Sequence, residues 1–180
     1  MHGIILRELK KYVEATLGKP AWTELLEAAG FAGKVYLPVS EYPDAELFAL
    51  VGHASAKSGV PADELLQGFG EFIVPDLVQI YRSSIAPAWA TLDLLEHTEK
   101  VIHHAVRMRD STASPPKLAV VRSDPRSVEI TYSSERKLCA VAKGIVRGVA
   151  HHYGERVEIV EATCMHQGAP VCLIQVTKLG

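Results

Sequence analysis

The pair Pro115-Pro116 divides this chain into stretches of different hydrophobic period. Upstream, apolar residues recur at three- and four-residue spacing; downstream the period becomes two until one further helical stretch intervenes. Prolines cannot continue a helix, so the pair marks the place where one regime must stop. Helices followed by strand, strand, helix, strand, strand predict an α+β fold, with helices packed on one side of an antiparallel sheet.

The helical part resolves into segments bounded by turn residues. Ile4 to Leu17 reads as a helix stopped by Gly18-Lys19-Pro20, and Trp22 to Ala29 as a second closed by Gly30. Asp44 to Ala56 follows Tyr42-Pro43, and Pro61 opens the next helix, with Asp63 and Glu64 near its positive end. Thr91 to Met108 is long enough to be a principal helix. Beyond the prolines, Lys117 to Val121 and Ser127 to Tyr132 read as strands around the Asp124-Pro125 turn. Ser134 to His152 reads as a helix rich in small residues, in which Gly144 and Gly148 suit close packing. Val157 to Val160 and Val171 to Val176 complete the strands.

A chain of 180 residues that is 48% apolar can bury a substantial core, and one domain or two tightly packed subdomains is expected. With 19 basic against 21 acidic residues, bulk charge gives no case for nucleic acid. No uncharged apolar run is long enough to span a bilayer, and the N-terminus lacks a secretory apolar segment. Three cysteines do not make a disulfide framework, so cytoplasmic residence is the expectation.

Chemistry concentrates at Tyr132-Ser133-Ser134-Glu135-Arg136. Every second residue there supplies a phenol, a hydroxyl or a guanidinium, a donor set that can clamp a buried carboxylate. Ser134 is expected to cap the following helix, with Arg136 in its first turn, where the helix N-terminus also favours carboxylates. An imidazole upstream can bind a metal from the other side, and the combination suits a haem pocket. His97, His103 and His104 all lie in the principal helix. His103 borders one edge of its apolar arc and the other two border the opposite edge, so periodicity alone does not choose among them. Alone, Ser134 reads as an ordinary cap and Arg136 as a surface ion-pair partner.

On the Tyr-x-Ser-x-Arg pattern at a strand-to-helix junction, and a histidine at the matching interval before Pro115-Pro116, the chain resembles the H-NOX family. This is the haem nitric-oxide/oxygen binding domain also found in soluble guanylate cyclase, and the resemblance runs from Met1 to the final strand. It implies an N-terminal helical subdomain over about 1–60 and a haem-bearing subdomain over 61–180, whose four-stranded antiparallel sheet is flanked by helices. The haem b would lie between them. His103 becomes the proximal iron ligand, Tyr132, Ser134 and Arg136 hold the propionates, and Pro116 packs against the porphyrin. Apolar pocket candidates are Ile5, Leu9, Ile73, Leu77 and Val141, with Leu118 below.

Oxygen-binding members of the family use a distal tyrosine where this chain has Val141. A supporting polar position matches Ile73, and a tryptophan is replaced by Leu9. None of these can donate a hydrogen bond to a bound gas, which stable oxygen binding needs far more than nitric oxide or carbon monoxide does. Tyr12, Tyr36 and Tyr81 carry hydroxyls whose direction the sequence leaves open. The resemblance implies a non-enzymatic bacterial sensor of nitric oxide and carbon monoxide. Its output would go to a separate histidine kinase or cyclic-dinucleotide enzyme, since the chain ends just after the last strand.

Cys139, Cys164 and Cys172 form a candidate structural zinc site, for which thiolates are suitable ligands. Some bacterial H-NOX proteins carry a histidine where this chain has Glu161, so either Glu161 or His166 is expected as the fourth ligand. Two rival readings stand beside the sensor. One is a haem-free regulatory domain, zinc-binding or of the vinyl-reductase-like type, and the other is a haem redox enzyme. The apolar distal series opposes the second, because haem redox catalysis needs a polar acid/base group near the iron.

Overall fold

The computed structural model describes residues 1–109 and 113–180. Helix α1, Gly3–Leu17, is capped by His2, whose side chain accepts from the Ile4 N–H. Its first residue has to be glycine, because a Cβ there would sit 1.9 Å from the Leu37 carbonyl oxygen. Helix α2, Lys19–Ala28, starts earlier than the expected Trp22. Pro20 falls in its first turn, where proline costs no intrahelical hydrogen bond. Helices α3, Asp44–Ser58, and α4, Ala62–Phe72, follow. Pro75 lacks the N–H that would extend α4, and the chain turns at Ile73 before α5, Val74–Tyr81.

The expected principal helix is not uniform. Helix α6, Thr91–His97, passes into a π-helical turn over Thr98–His103 and then into α7, His104–Arg109. A π turn re-phases every side chain that follows it, so a regular helical wheel drawn through residue 108 places the histidines wrongly.

Four strands form one antiparallel sheet in the order β1-β2-β4-β3: β1 Lys117–Asp124, β2 Ser127–Ser133, β3 Val157–Thr163 and β4 Cys172–Lys178. Leu118 pairs with Tyr132, and Tyr132 with Cys172. These three form one row on the core face. Val120, Ile130 and Ile174 form the next row, and Ile174 pairs onward with Glu161. The opposite face meets solvent, with Val121 63% and Val160 49% exposed.

Helix α8, Cys139–His152, begins five residues later than its expected start at Ser134. Residues 134–137 form a turn instead, closed by Lys137 N–H to Ser134 O, and Lys137 adopts a positive φ of 49°. Ser134 therefore caps no helix and Arg136 lies outside the first turn. Helix α8 packs against α4 at almost backbone contact: a Cβ on Gly144 would lie 2.0 Å from Gln67 O, and one on Gly70 2.2 Å from Val141 O. A Cβ on Gly148 would lie 2.6 Å from Val74 Cγ2 and 2.8 Å from Glu71 O, so the expected packing role of both α8 glycines holds.

Two main cores result. One joins Leu6, Leu9, Leu25, Leu47, Leu50, Phe69 and Ile73 among the N-terminal helices. The other joins Leu92, Leu95, Val128, Ile130, Tyr132, Cys172 and Val176 under the sheet. Helix α8 serves both, through Ala140 in the first and Cys139 and Val146 in the second. Among the described residues, no helix is long and apolar enough to cross a membrane.

Candidate functional site

The π-helical turn carries His103. Its Nδ1 lies 2.8 Å from Oε2 of Glu99, which also accepts the Leu118 N–H at 3.2 Å, while Oε1 takes Arg107 at 2.8 Å. A carboxylate only accepts, so Nδ1 carries the proton and the neutral ring keeps its lone pair on Nε2. Burial pushes the His103 pKa below its ordinary value, although Glu99 works in the opposite direction. Burial raises the Glu99 carboxyl, but its bonds to His103 and Arg107 more than offset this and hold it low. The histidine is thus neutral and oriented, the state in which imidazole binds metal.

The other two histidines of this segment are placed differently. His97 stacks on Trp89, with ring centroids 4.5 Å apart, and its Nδ1 bonds to Asp93 O. His104 is exposed.

Tyr132, Ser134 and Arg136 are brought together at the end of β2. Tyr132 is buried, and burial raises its pKa while the Ser134 side chain and the Leu138 backbone bond to its hydroxyl. Ser134 Oγ accepts the Arg136 N–H at 3.3 Å. The Arg136 guanidinium already grips a carboxylate, with Nε 2.9 Å from both oxygens of Asp44, and it donates to Ser114 O at 2.5 Å. Asp44 also pairs with the α-ammonium of Met1 at 2.8 Å. Burial raises the Asp44 carboxyl, and these two cations outweigh it, leaving its pKa low.

Pro115 and Pro116 are therefore strung between the two groups. Arg136 holds the Ser114 carbonyl on one side, Glu99 holds the Leu118 N–H on the other, and the Pro116 carbonyl accepts from the His103 ring. A haem fits this donor set: a neutral imidazole with a free lone pair, and a guanidinium and two hydroxyls gathered where carboxylates are held.

Leu9 and Ile73 are buried in the N-terminal core, and half-buried Ile5, Leu77 and Val141 pack against it. Leu118 packs on the sheet core beside Tyr132. None of the six carries a hydrogen-bond donor on its side chain. The Tyr36 hydroxyl is committed to Glu46 at 2.8 Å. Tyr12 packs its ring on Phe69 and Phe72 and points its hydroxyl at Gly68, 2.4 Å from where a Cβ would be. Tyr81 ends α5.

The thiols meet at the opposite end of β2's row. Among the described residues, ligand atoms of Cys139, Glu161, Cys164 and Cys172 all lie within 4.8 Å of one another. Cys139 and Cys164 sulfurs are 3.9 Å apart, close to the ~3.8 Å separation set by two tetrahedral zinc–sulfur bonds. Glu161 Oε2 pairs with Lys143 at 2.7 Å; burial raises this carboxyl, but Lys143 and bonds from the Cys164 and Cys172 thiols outweigh it and hold its pKa low. Burial, reinforced by the neighbouring thiols, pushes the Cys139 thiol far up. His166 stands apart: it is exposed, and its Nε2 bonds to Lys137 O at 2.7 Å. Of the two fourth-ligand candidates, the Glu161 carboxylate lies beside the three thiols and His166 does not.

Three contributors escaped the sequence. Glu99 had a usable signal, since it precedes His103 by four residues. Lys143 lies one turn beyond Cys139 and was equally within reach. Asp44 had none, being separated from Arg136 by 92 positions.

Comparison with known proteins places these features in one family. The family model described as Haem-NO-binding matches residues 2–161. The structure superposes on an H-NOX protein from S. oneidensis in the Fe(II)NO ligation state with a TM-score of 0.93 and 28% identity, covering 100% of both chains. The H-NOX domain from Shewanella oneidensis in the Fe(II)CO state gives 0.90 at 28% identity, covering 100% of this chain and 99% of that one. An Fe(II) unliganded H-NOX protein from K. algicida gives 0.88 at 22% identity, covering 100% and 97%, a likeness of fold alone. The soluble guanylate cyclase gcy-32 of Caenorhabditis elegans is 26% identical over 175 residues, 93% of this chain. The chain spans about a quarter of the length of the curated relatives it matches.

Proposed function

This chain belongs to the haem-NO-binding family, H-NOX, and from that premise we propose that it is a haem b sensor of nitric oxide and carbon monoxide that forms no stable oxygen complex. Relatives captured with each of the two gases support the ligand class. Family membership makes it a sensor module rather than a catalyst. The observation that carries the reading is the neutral His103, oriented by Glu99 and joined through Pro115-Pro116 to the carboxylate-gripping Arg136.

Bound haem supplies an iron atom at which a diatomic gas coordinates. The chain supplies everything else. His103 would hold the iron through Nε2, Tyr132, Ser134 and Arg136 would hold the propionates, and Pro116 would pack against the porphyrin. Ile5, Leu9, Ile73, Leu77, Val141 and Leu118 exclude water and present no hydrogen-bond donor. Such walls favour gases that bind without one. The π-helical turn that carries His103 would be free to shift against β1 if the hold of His103 on the haem were lost. Arg136 and Asp44 would carry that shift to the N-terminus, and the N-terminal subdomain would bias an interface. The output goes to a separate histidine kinase or cyclic-dinucleotide enzyme in the cytoplasm of a bacterium.

Cys139, Glu161, Cys164 and Cys172 hold a structural zinc ion in the same reading. The convergence of three sulfurs and a half-buried carboxylate within 4.8 Å supports it, since such a donor set suits a cation.

Gas selectivity tests the sensor reading. The reduced, haem-loaded protein should change its absorption spectrum with nitric oxide and with carbon monoxide, and remain free of an oxygenated band in air. A persistent oxygen complex would show that Tyr12 or another donor reaches the gas and would overturn the apolar-pocket assignment.

A further inference from the structure

We propose that Glu99 is the positioning residue that sets the strength of the His103–iron bond, with Arg107 the counterweight that keeps this bond breakable. The inference rests on the sensor reading above and extends it to two residues that no motif assigns. A carboxylate that accepts the Nδ1–H draws the proton toward itself and gives the ring partial imidazolate character. Nε2 then becomes a stronger donor to metal. The 2.8 Å contact between His103 Nδ1 and Glu99 Oε2 is short enough for this.

The pull of the carboxylate depends on how much of its charge other donors consume. Arg107 takes Oε1 at 2.8 Å, and the Leu118 N–H approaches the same Oε2 that His103 uses, at 3.2 Å. Both draw electron density away from the imidazole. Glu99 therefore sits between two demands, and the balance fixes the axial bond at intermediate strength. Its position is not left to solvent. The π-helical turn brings Glu99 and His103 onto one side, and Leu118 anchors the carboxylate to the first residues of β1, two positions past Pro116. A sensor whose signal is release of His103 needs an axial bond strong enough to hold haem and weak enough to yield, and these two residues supply opposite pushes.

The opposition gives a test that a merely structural role would not pass. In Glu99→Gln the side chain keeps its shape and an oxygen for the Nδ1–H but loses its charge. Resonance Raman spectroscopy of the reduced haem protein should show the iron–histidine stretch moving down. Haem transfer to excess apomyoglobin should accelerate roughly 10-fold, the lower end for losing a ligand's hydrogen-bond partner. In Arg107→Ala, at a half-exposed side chain, the freed carboxylate should move the stretch up and slow haem transfer. The fraction of the nitric-oxide complex retaining an axial nitrogen, read from its electron paramagnetic resonance hyperfine pattern, should fall in the first variant and rise in the second. Stretches that stay put in both variants, or move in the same direction, overturn the role of Glu99 while leaving the sensor intact. A wild-type protein that takes up no haem, or takes it up without an iron–histidine stretch, overturns both.

Discussion

The haem corner and the thiol cluster are built from the same sheet by different means. The corner depends on irregular backbone: the π-helical turn of His103, the strap at Pro115-Pro116, and the turn at 134–137 with its positive φ at Lys137. The cluster depends on regular elements. Cys139 is the first residue of α8, Cys172 the first of β4, and Glu161 an inward position of β3, leaving only Cys164 outside an element. Regular backbone holds ligands at fixed separation and suits a permanent structural ion. Irregular backbone is held by a few side-chain bonds, Glu99 to Leu118 and Arg136 to Ser114, and has other arrangements open to it. In the proposed reading, the site that moves is built from the second kind of structure and the structural metal site from the first.

The largest expected effect breaks the mobile side. His103→Gly should remove the axial bond, weaken haem retention by at least ~10- to 100-fold, and recover a five-coordinate spectrum when free imidazole is added. An unchanged spectrum would mean that another residue ligates iron, and the comparison would lose one of its terms.

A smaller effect is expected on the fixed side. Metal analysis of the native protein should give one zinc per chain, falling to none in Cys172→Ser. When free zinc stands 100-fold above its Kd, the wild type should gain about 2.7 kcal/mol from the metal, seen as a chelator-sensitive rise in Tm that the variant lacks. The iron–histidine stretch should stay the same with and without zinc. A shift there would show that the two sites are coupled and would sharpen the contrast into a relay.

The smallest effect concerns the link between them and the N-terminus. Asp44 has a folded pKa below its ordinary value of 3.8. Unfolding therefore takes up a proton below about pH 4. The stabilisation is present above that value and is lost as pH falls through the lowered folded pKa. The Asp44 side chain is 37% exposed, so solvent screening limits the contribution to about 1 kcal/mol. Denaturant titrations between neutral pH and pH 3 should show wild type converging on Asp44→Asn as the acid limit is approached. Parallel curves would mean that the pairing with Arg136 and Met1 adds nothing to the fold.

The same contrast explains what could be read from the chain alone. Period and punctuation located the strands, the α+β order and the close-packed glycines of α8, because each is a local and repeated pattern. The position of Glu161, one of the two expected candidates, was nearly legible from period alone. Period two carried one strand turn further, from Val157 and Ile159, puts its carboxylate on the core face and inside the cluster. The expected strand ends at Val160, one residue short of Glu161, whereas β3 runs to Thr163. The helix start was misplaced because Ser134 has the chemistry of a cap, whereas the left-handed Lys137 that delays the helix to Cys139 is not a residue type that announces such a turn. The choice among His97, His103 and His104 could not come from a regular wheel, since the π-helical turn resets the phase within that segment. Asp44 meets Arg136 only through the tertiary fold, and no spacing encodes it.

The central claim is that His103, in neutral form and with Nδ1 committed to Glu99, binds the iron of one haem per chain. Anaerobic titration of the purified protein with ferrous haem, followed by Soret absorption, tests it most directly. The account predicts saturation at one equivalent, with the spectrum of a five-coordinate, histidine-ligated ferrous haem. A folded protein whose titration shows no saturable Soret band, or one lacking histidine ligation, would contradict it.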